Sequence, residues 1–520
     1  MLALAATAVL FASCAQRVTI ANLLAPPIPV EADLENAREA LSELGRGRKE
    51  AREKYNESVS RIIQHGDLQK NEDATAASLT FSDQSIPLVD GMGEITDLAT
   101  VERIAPASPM VIGGFRERIT VDGVGAPLVL RFPAEGYSPE EGLFQPATAV
   151  LDFEGPNASP RLVVHDTLAN AKTTLTSSGV SRTLEADFTA PLASRFAAEE
   201  RQRISLAAML KSDKFDDKLG LSKLDTTYPH KIPVVFVHGL KSTPSTWRDT
   251  VNELRADPVI RERYEFWTFG YTTGAPIPYS AMKLREALKG MATFRQQLEA
   301  PTDNIVIIGH SMGGLLTRLM TESSGDEVWF RFFNEPVEEL PLPEDEREMI
   351  KKMAYFEPLP FVKRAVFIAT PHGGSQMAED PIGRIFSDLI QLPSQLLTLS
   401  TSIVSESVYS LTPFGQAILG KRIPTSIDML EADSELLQRL KSTPLNPNVS
   451  FHSIIGDIGG KETPTGTDGI VPVESAHLEG VDSELIIQSA HRAHQKPEAV
   501  AELRRILRLH VGSIPAPERE

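Results

Sequence analysis

Residues Ile305–Gly314 read IVIIGHSMGG. Four apolar residues suited to a buried strand run into a Gly-x-Ser-x-Gly turn, and LLTRLMT follows with the apolar spacing of a helix. A serine between a strand and a helix sits on a sharp elbow with its hydroxyl exposed, which makes Ser311 a candidate nucleophile. Gly309 and Gly313 flank it by two residues, where a Cβ would crowd the turn.

Outward from this run, strand-like and helix-like segments alternate from Lys231 onward, the pattern of an α/β fold with a mainly parallel sheet. Strands are expected at 232–238, 264–271, 304–310, 363–370, 449–456 and 484–489, with helices at 245–256, 280–299, 312–322 and 497–510. Stretches of about 323–360 and 376–446 are too long for simple connections and read as insertions above the sheet, where a cap belongs. The second is rich in apolar residues, among them Ile385, Phe386, Leu389, Ile390, Leu396, Leu397, Ile403 and Val404. These suit either an acyl pocket or the packing of the cap onto the body, and Trp329, Phe330, Phe332 and Phe333 in the first pose the same choice, with an exposed lid as the functional option.

Residues 230–512 resemble an α/β-hydrolase of the serine esterase/lipase type, and several motifs carry the resemblance in the order of that superfamily. VVFVHGLKSTPSTW (234–247) is similar to the strand and loop that supply an oxyanion hole. The resemblance assigns its backbone donors to Leu240, after the His238–Gly239 pair, and to Met312, after the nucleophile. FIATPHGGS (367–375) resembles a loop lining such sites. Its His372 precedes the acid, against the order Ser, acid, His, and reads as a packing or substrate-side residue. GTDGIVPVESAHL (466–478) is similar to the turn that carries the acid, assigning Asp468; Asp457 in IIGDIGG is its rival. In SAHRAHQKPEA (489–499), His491 fits the base directly after small residues, with His494 as rival at the helix entrance. The implied reaction is hydrolysis of carboxylic esters, lipid or hydrophobic acyl esters among them, through a Ser311–His491–Asp468 triad and an acyl-enzyme. Acyl transfer, amide or thioester cleavage would use the same residues, and a binding lipoprotein on a hydrolase scaffold is the non-catalytic alternative. No cofactor is implied, and no cluster with ligand spacing suggests a metal.

Length predicts more than one unit in 520 residues. Residues 15–77 read as a linker and a charged helical segment, with Gly45 and Gly47 favouring two short helices over one. From 78 to 229 the chain is β-rich with a helical connector, and a small sandwich is the expected form. Fifty-two basic against seventy acidic residues, a net charge of −18, exclude nucleic acid as a partner. Cys14 is the single cysteine, so neither an intrachain disulfide nor a cysteine metal cluster can form. It ends an apolar stretch too short to span a bilayer, and Phe11-Ala12-Ser13-Cys14 resembles the lipobox of bacterial lipoproteins. That resemblance implies a signal segment over residues 1–14, lipidation at Cys14 and a lipid-anchored protein of the bacterial cell envelope. Ala15 after the cysteine resembles the outer-membrane sorting pattern.

Overall fold

Two kinds of apolar patterning fold into two kinds of sheet. The computed structural model describes residues 17–23, 26, 28–44, 48–71, 76–82, 84–93, 97–153, 159–174, 181–202, 219–375, 392–460 and 465–513. The expected signal segment and Cys14 lie outside them. The chain divides into two compact units, one holding residues 1–203, 224–226 and 251–262, the other 204–223, 227–250 and 263–520.

In the first unit, helices α1 (Val30–Leu44) and α2 (Lys49–His65) are separate, and each buries one stripe: Ala37, Ala40, Leu41 and Leu44 on α1, Tyr55, Val59, Ile62 and Ile63 on α2. Seven strands form a mixed sheet: β1 (Asp67–Lys70), β2 (Ala77–Thr80), β3 (Ser85–Gly91), β4 (Arg103–Pro106), β5 (Ala126–Phe132), β6 (Leu143–Phe153) and β7 (Pro160–Asp166). Their order is β1-β2-β3-β7-β6-β5-β4, with only β3 and β7 parallel. The expected sandwich is therefore corrected to one seven-stranded sheet dressed with helices, accompanied by three two-stranded ladders among the described residues. Period two explains it. Leu128 and Leu130 of β5 join the α1–α2 core, while Val129 between them packs with Ala190 of helix α3 (Thr189–Gln202). With helices on both faces, β6 is buried almost end to end without a second large sheet stacked on it.

The second unit is built on strands β8 (Gly220–Lys223), β9 (Ile232–Val237), β10 (Tyr264–Gly270), β11 (Ile305–His310), β12 (Val362–Ile368), β13 (Ser450–Asp457) and β14 (Ser483–Gln488). They are ordered β8-β10-β9-β11-β12-β13-β14, and all neighbours are parallel except the antiparallel edge strand β8. The unbroken apolar runs of β9 and β11 are buried at every residue, as a parallel sheet covered on both faces requires. Helices α4 (Ile277–Gln297) and α5 (Met312–Leu319) follow β10 and β11. Helix α4 starts three residues before the expected 280, with Pro278 in its first turn, where the missing N–H costs nothing.

The first insertion carries α6 (Glu327–Phe332) and α7 (Glu344–Ala354); the second carries α8 (Ser394–Glu406), α9 (Pro413–Leu419) and α10 (Glu435–Ser442). Ile385, Phe386, Leu389 and Ile390 lie outside the described residues. Of the remainder, Leu396, Leu399 and Ile403 join Trp329 and Phe333 in one core with Tyr279 and Met282 of α4, packing the cap onto the body, whereas Phe330, Leu397 and Val404 face solvent. Helix α11 (Pro497–Gly512) closes the chain's fold, burying Val500, Leu503, Ile506 and Leu507. Among the described residues, no helix is long and apolar enough to cross a membrane.

Candidate active site

Strand β11 ends at His310, and the backbone turns through Ser311 at φ 54°, ψ −129° before α5 begins at Met312. A serine held there costs on the order of 1–3 kcal/mol, so the surroundings must impose the conformation. They do so through two bonds: the Ser311 N–H donates to the Ile368 carbonyl at the end of β12, and the Gly314 N–H donates to the Ser311 carbonyl, both at 2.8 Å.

The loop after β9 lies against this elbow. A Cβ on Gly239 would stand 2.8 Å from the Ser311 Cβ and 3.1 Å from the His310 carbonyl oxygen, and one on Gly313 would overlap the carbonyl oxygens of Val237 and His238. Only glycine permits that approach. Tyr271 holds the loop from the far side: its hydroxyl donates to the His238 carbonyl at 2.8 Å, and its ring stacks on His238 with centroids 4.5 Å apart. His238 Nδ1 donates in turn to the Gly239 carbonyl at 3.0 Å, and burial holds the imidazole down at about 4, so the ring is neutral. Leu240 follows, partly exposed, while Met312 is buried as the first residue of α5, where helix geometry supplies no acceptor for its N–H. With Gly239 seated against Ser311, Gly239→Ala is expected to lower kcat about 100-fold. A titrated preparation with wild-type kcat would show that the contact is not needed.

Ser311 donates its Oγ–H to His491 Nε2 at 2.9 Å, and His491 Nδ1 donates to Asp468 Oδ2 at 2.8 Å. The other carboxylate oxygen of Asp468 accepts the N–H groups of Ile470 at 2.9 Å and Val471 at 2.7 Å. Asp468 and Ser311 are buried, and His491 keeps a partly exposed edge. Such a relay lets a histidine take a serine proton while a carboxylate fixes its tautomer.

The rivals stand elsewhere. Asp457, the last residue of β13, turns its carboxylate into its own loop, accepting the N–H groups of Gly459 at 2.8 Å, Gly460 at 3.1 Å, Thr465 at 2.9 Å and Gly466 at 2.8 Å and the Thr465 hydroxyl at 2.8 Å. The Thr465 N–H leads in holding it at about 2. Its work is to shape the turn that presents Asp468. His494 bonds Thr246 Oγ1 through Nε2 at 2.7 Å, and its carbonyl accepts from the Thr250 hydroxyl at 2.8 Å, so it packs the entrance of α11. His372 is buried edge-on to Phe367 at 4.8 Å, and neither ring nitrogen has a partner among the described residues. Burial, then the nearby Arg318 charge, keeps it neutral, and it makes no bond to Ser311, Asp468 or His491.

Two contributors escaped the sequence reading. Tyr271 carries no local signature of its role. His310 stands in the quoted motif, yet only the fold reveals what its ring touches.

A parallel sheet with a serine elbow after its central strand, joined to a carboxylate and a histidine from later loops, defines a hydrolase class of α/β protein. A sequence model of the alpha/beta hydrolase family matches residues 234–503, a span that contains all three side chains. The chain belongs to the alpha/beta hydrolase family. Among curated proteins, none matches it. Among solved structures it is similar to the mature form of the Bacillus licheniformis lipase BlEst2, at 16% identity over 54% of this chain and 93% of that one, with a TM-score of 0.32. It is also similar to Staphylococcus hyicus lipase, at 15% identity over 54% and 94% of the two chains (TM-score 0.32). The metagenomic carboxyl esterase MGS0156 shares 16% identity over 55% of this chain and 78% of its own, with a TM-score of 0.30.

Proposed function

We propose that the protein is a serine hydrolase of carboxylic esters, acting on hydrophobic acyl groups. The carrying observation is the continuous relay from Ser311 Oγ through His491 to Asp468, at 2.9 and 2.8 Å, on a strained elbow. In this reading His491 takes the Ser311 proton as Oγ attacks the ester carbonyl. The N–H groups of Leu240 and Met312 stabilise the oxyanion, the alcohol leaves with the proton, and water releases the acid. Leaving Ser311 near its attack conformation spares the reaction that ordering step.

Support for a hydrophobic substrate comes from the cap, which leaves Phe330, Leu397, Val404, Tyr409 and Ile418 exposed. The segment ending at Cys14 supports an anchored, envelope-facing setting, where lipid esters are the available substrates. A fluorophosphonate probe should label wild-type protein at Ser311 and not Ser311→Ala. Across nitrophenyl esters of rising chain length, kcat/KM is expected to peak beyond acetyl by at least about tenfold, since each buried methylene adds to binding. A preference for acetyl would defeat the hydrophobic-acyl reading, and release of anything other than free acid in water would defeat hydrolysis.

A further inference from the structure

We infer that His310 is a positioning residue for the base: its imidazole Nε2–H, 2.8 Å from the His491 carbonyl oxygen, anchors the backbone of the loop that carries His491. The inference rests on the proposed role of the Ser311–His491–Asp468 relay.

A carbonyl oxygen only accepts, so the proton of His310 must lie on Nε2. The remaining nitrogen, Nδ1, is buried without a partner among the described residues and faces Gly239, whose absent Cβ would stand 3.1 Å from it. A second proton there would find no acceptor, and burial holds the ring well below the ordinary histidine range. The ring is wedged in place, its centroid 4.0 Å from that of His494, 5.0 Å from that of His491 and 6.5 Å from that of Trp247.

The consequence is a two-point grip from neighbouring residues. Ser311 holds His491 by the ring through Nε2, and His310 holds it by the main chain. His491 lies between the end of β14 and a 3-10 turn at Ala493–Gln495, where no strand or helix ladder fixes its carbonyl. A base displaced by a fraction of an ångström loses both its serine and its carboxylate, so this bond sets the geometry on which proton transfer depends.

Two substitutions separate positioning from bulk packing. His310→Gln places an amide N–H near the position of Nε2, and His310→Leu fills similar space without a donor. With active sites titrated by fluorophosphonate, His310→Leu is expected to lose about 100-fold in kcat at nearly constant KM. His310→Gln should recover at least tenfold of that loss. The acidic limb of the kcat/KM profile should move to lower pH in the leucine variant, because a loosened Asp468 contact stabilises the imidazolium less. Wild-type kcat and an unmoved acidic limb in titrated His310→Leu would overturn the inference, as would equal losses in both variants tracking a fall in melting temperature. Loss of Ser311 labelling in the wild type is a different failure and would strike the hydrolase reading itself.

Discussion

Ser311→Ala is expected to reduce kcat on a nitrophenyl ester by about 10⁶-fold, and His491→Ala by a comparable factor. The double variant should be no worse than either single one, because the two groups act as a unit and removing one disables the other. His494→Ala should retain turnover within about tenfold, since that ring bonds Thr246 and supports the entrance of α11 without touching Ser311. The decisive comparison is therefore between two histidines three residues apart in the sequence. His494→Ala dead with His491→Ala active would reverse the assignment of the base. Residual rates of both alanine variants, measured against protein heated to inactivation, guard against contaminating esterases.

The second large effect concerns acid. His238, His452 and His510 are each held at about 4 against an ordinary 6.5, first by burial, and for the latter two also by the charge of Arg364. Burial also holds His310 and His372 well below the ordinary histidine range. Between pH 6.5 and 4 the unfolded chain binds protons that the folded second unit refuses. Stability therefore falls as pH drops through that window. For fully buried His238 alone the loss by pH 4 is roughly 3 kcal/mol. Several such groups acting together rival the 5–15 kcal/mol that typically separates folded from unfolded protein. Melting followed by circular dichroism at half-unit pH steps should show the decline beginning near 6.5, where an ordinary histidine titrates. A melting temperature flat from pH 7 to 5 would contradict it.

Much of the second unit was legible from residues alone because its signals are local. A buried parallel strand writes itself as an unbroken apolar run, and the elbow must place glycines where backbone meets backbone. Asp468 and His491 were legible through the turns around them. The first unit was harder. Its strands alternate in the same way whether the second layer is another sheet or helices, and the choice was made by α1, α2 and α3, whose stripes the strand pattern does not record. Asp457 illustrates a further limit. A carboxylate at a strand end advertises catalysis equally well whether it faces a histidine or, as here, the amides of its own loop. Likewise, nothing in the order Gly-His-Ser announces that a ring will reach across to a loop 181 residues later.

The close seating of Gly239 and Gly313 against the serine elbow also bears on how this chain can change over time. An atom added at Gly313 falls on main chain, and one added at Gly239 falls on Ser311 and His310 themselves, so those positions have no gradual route to a different residue. Novel specificity must instead be acquired at the cap, where Leu397, Val404 and Tyr409 can vary without disturbing packed backbone. Lineages of this protein should accordingly diverge in what they accept long before they diverge in how they react.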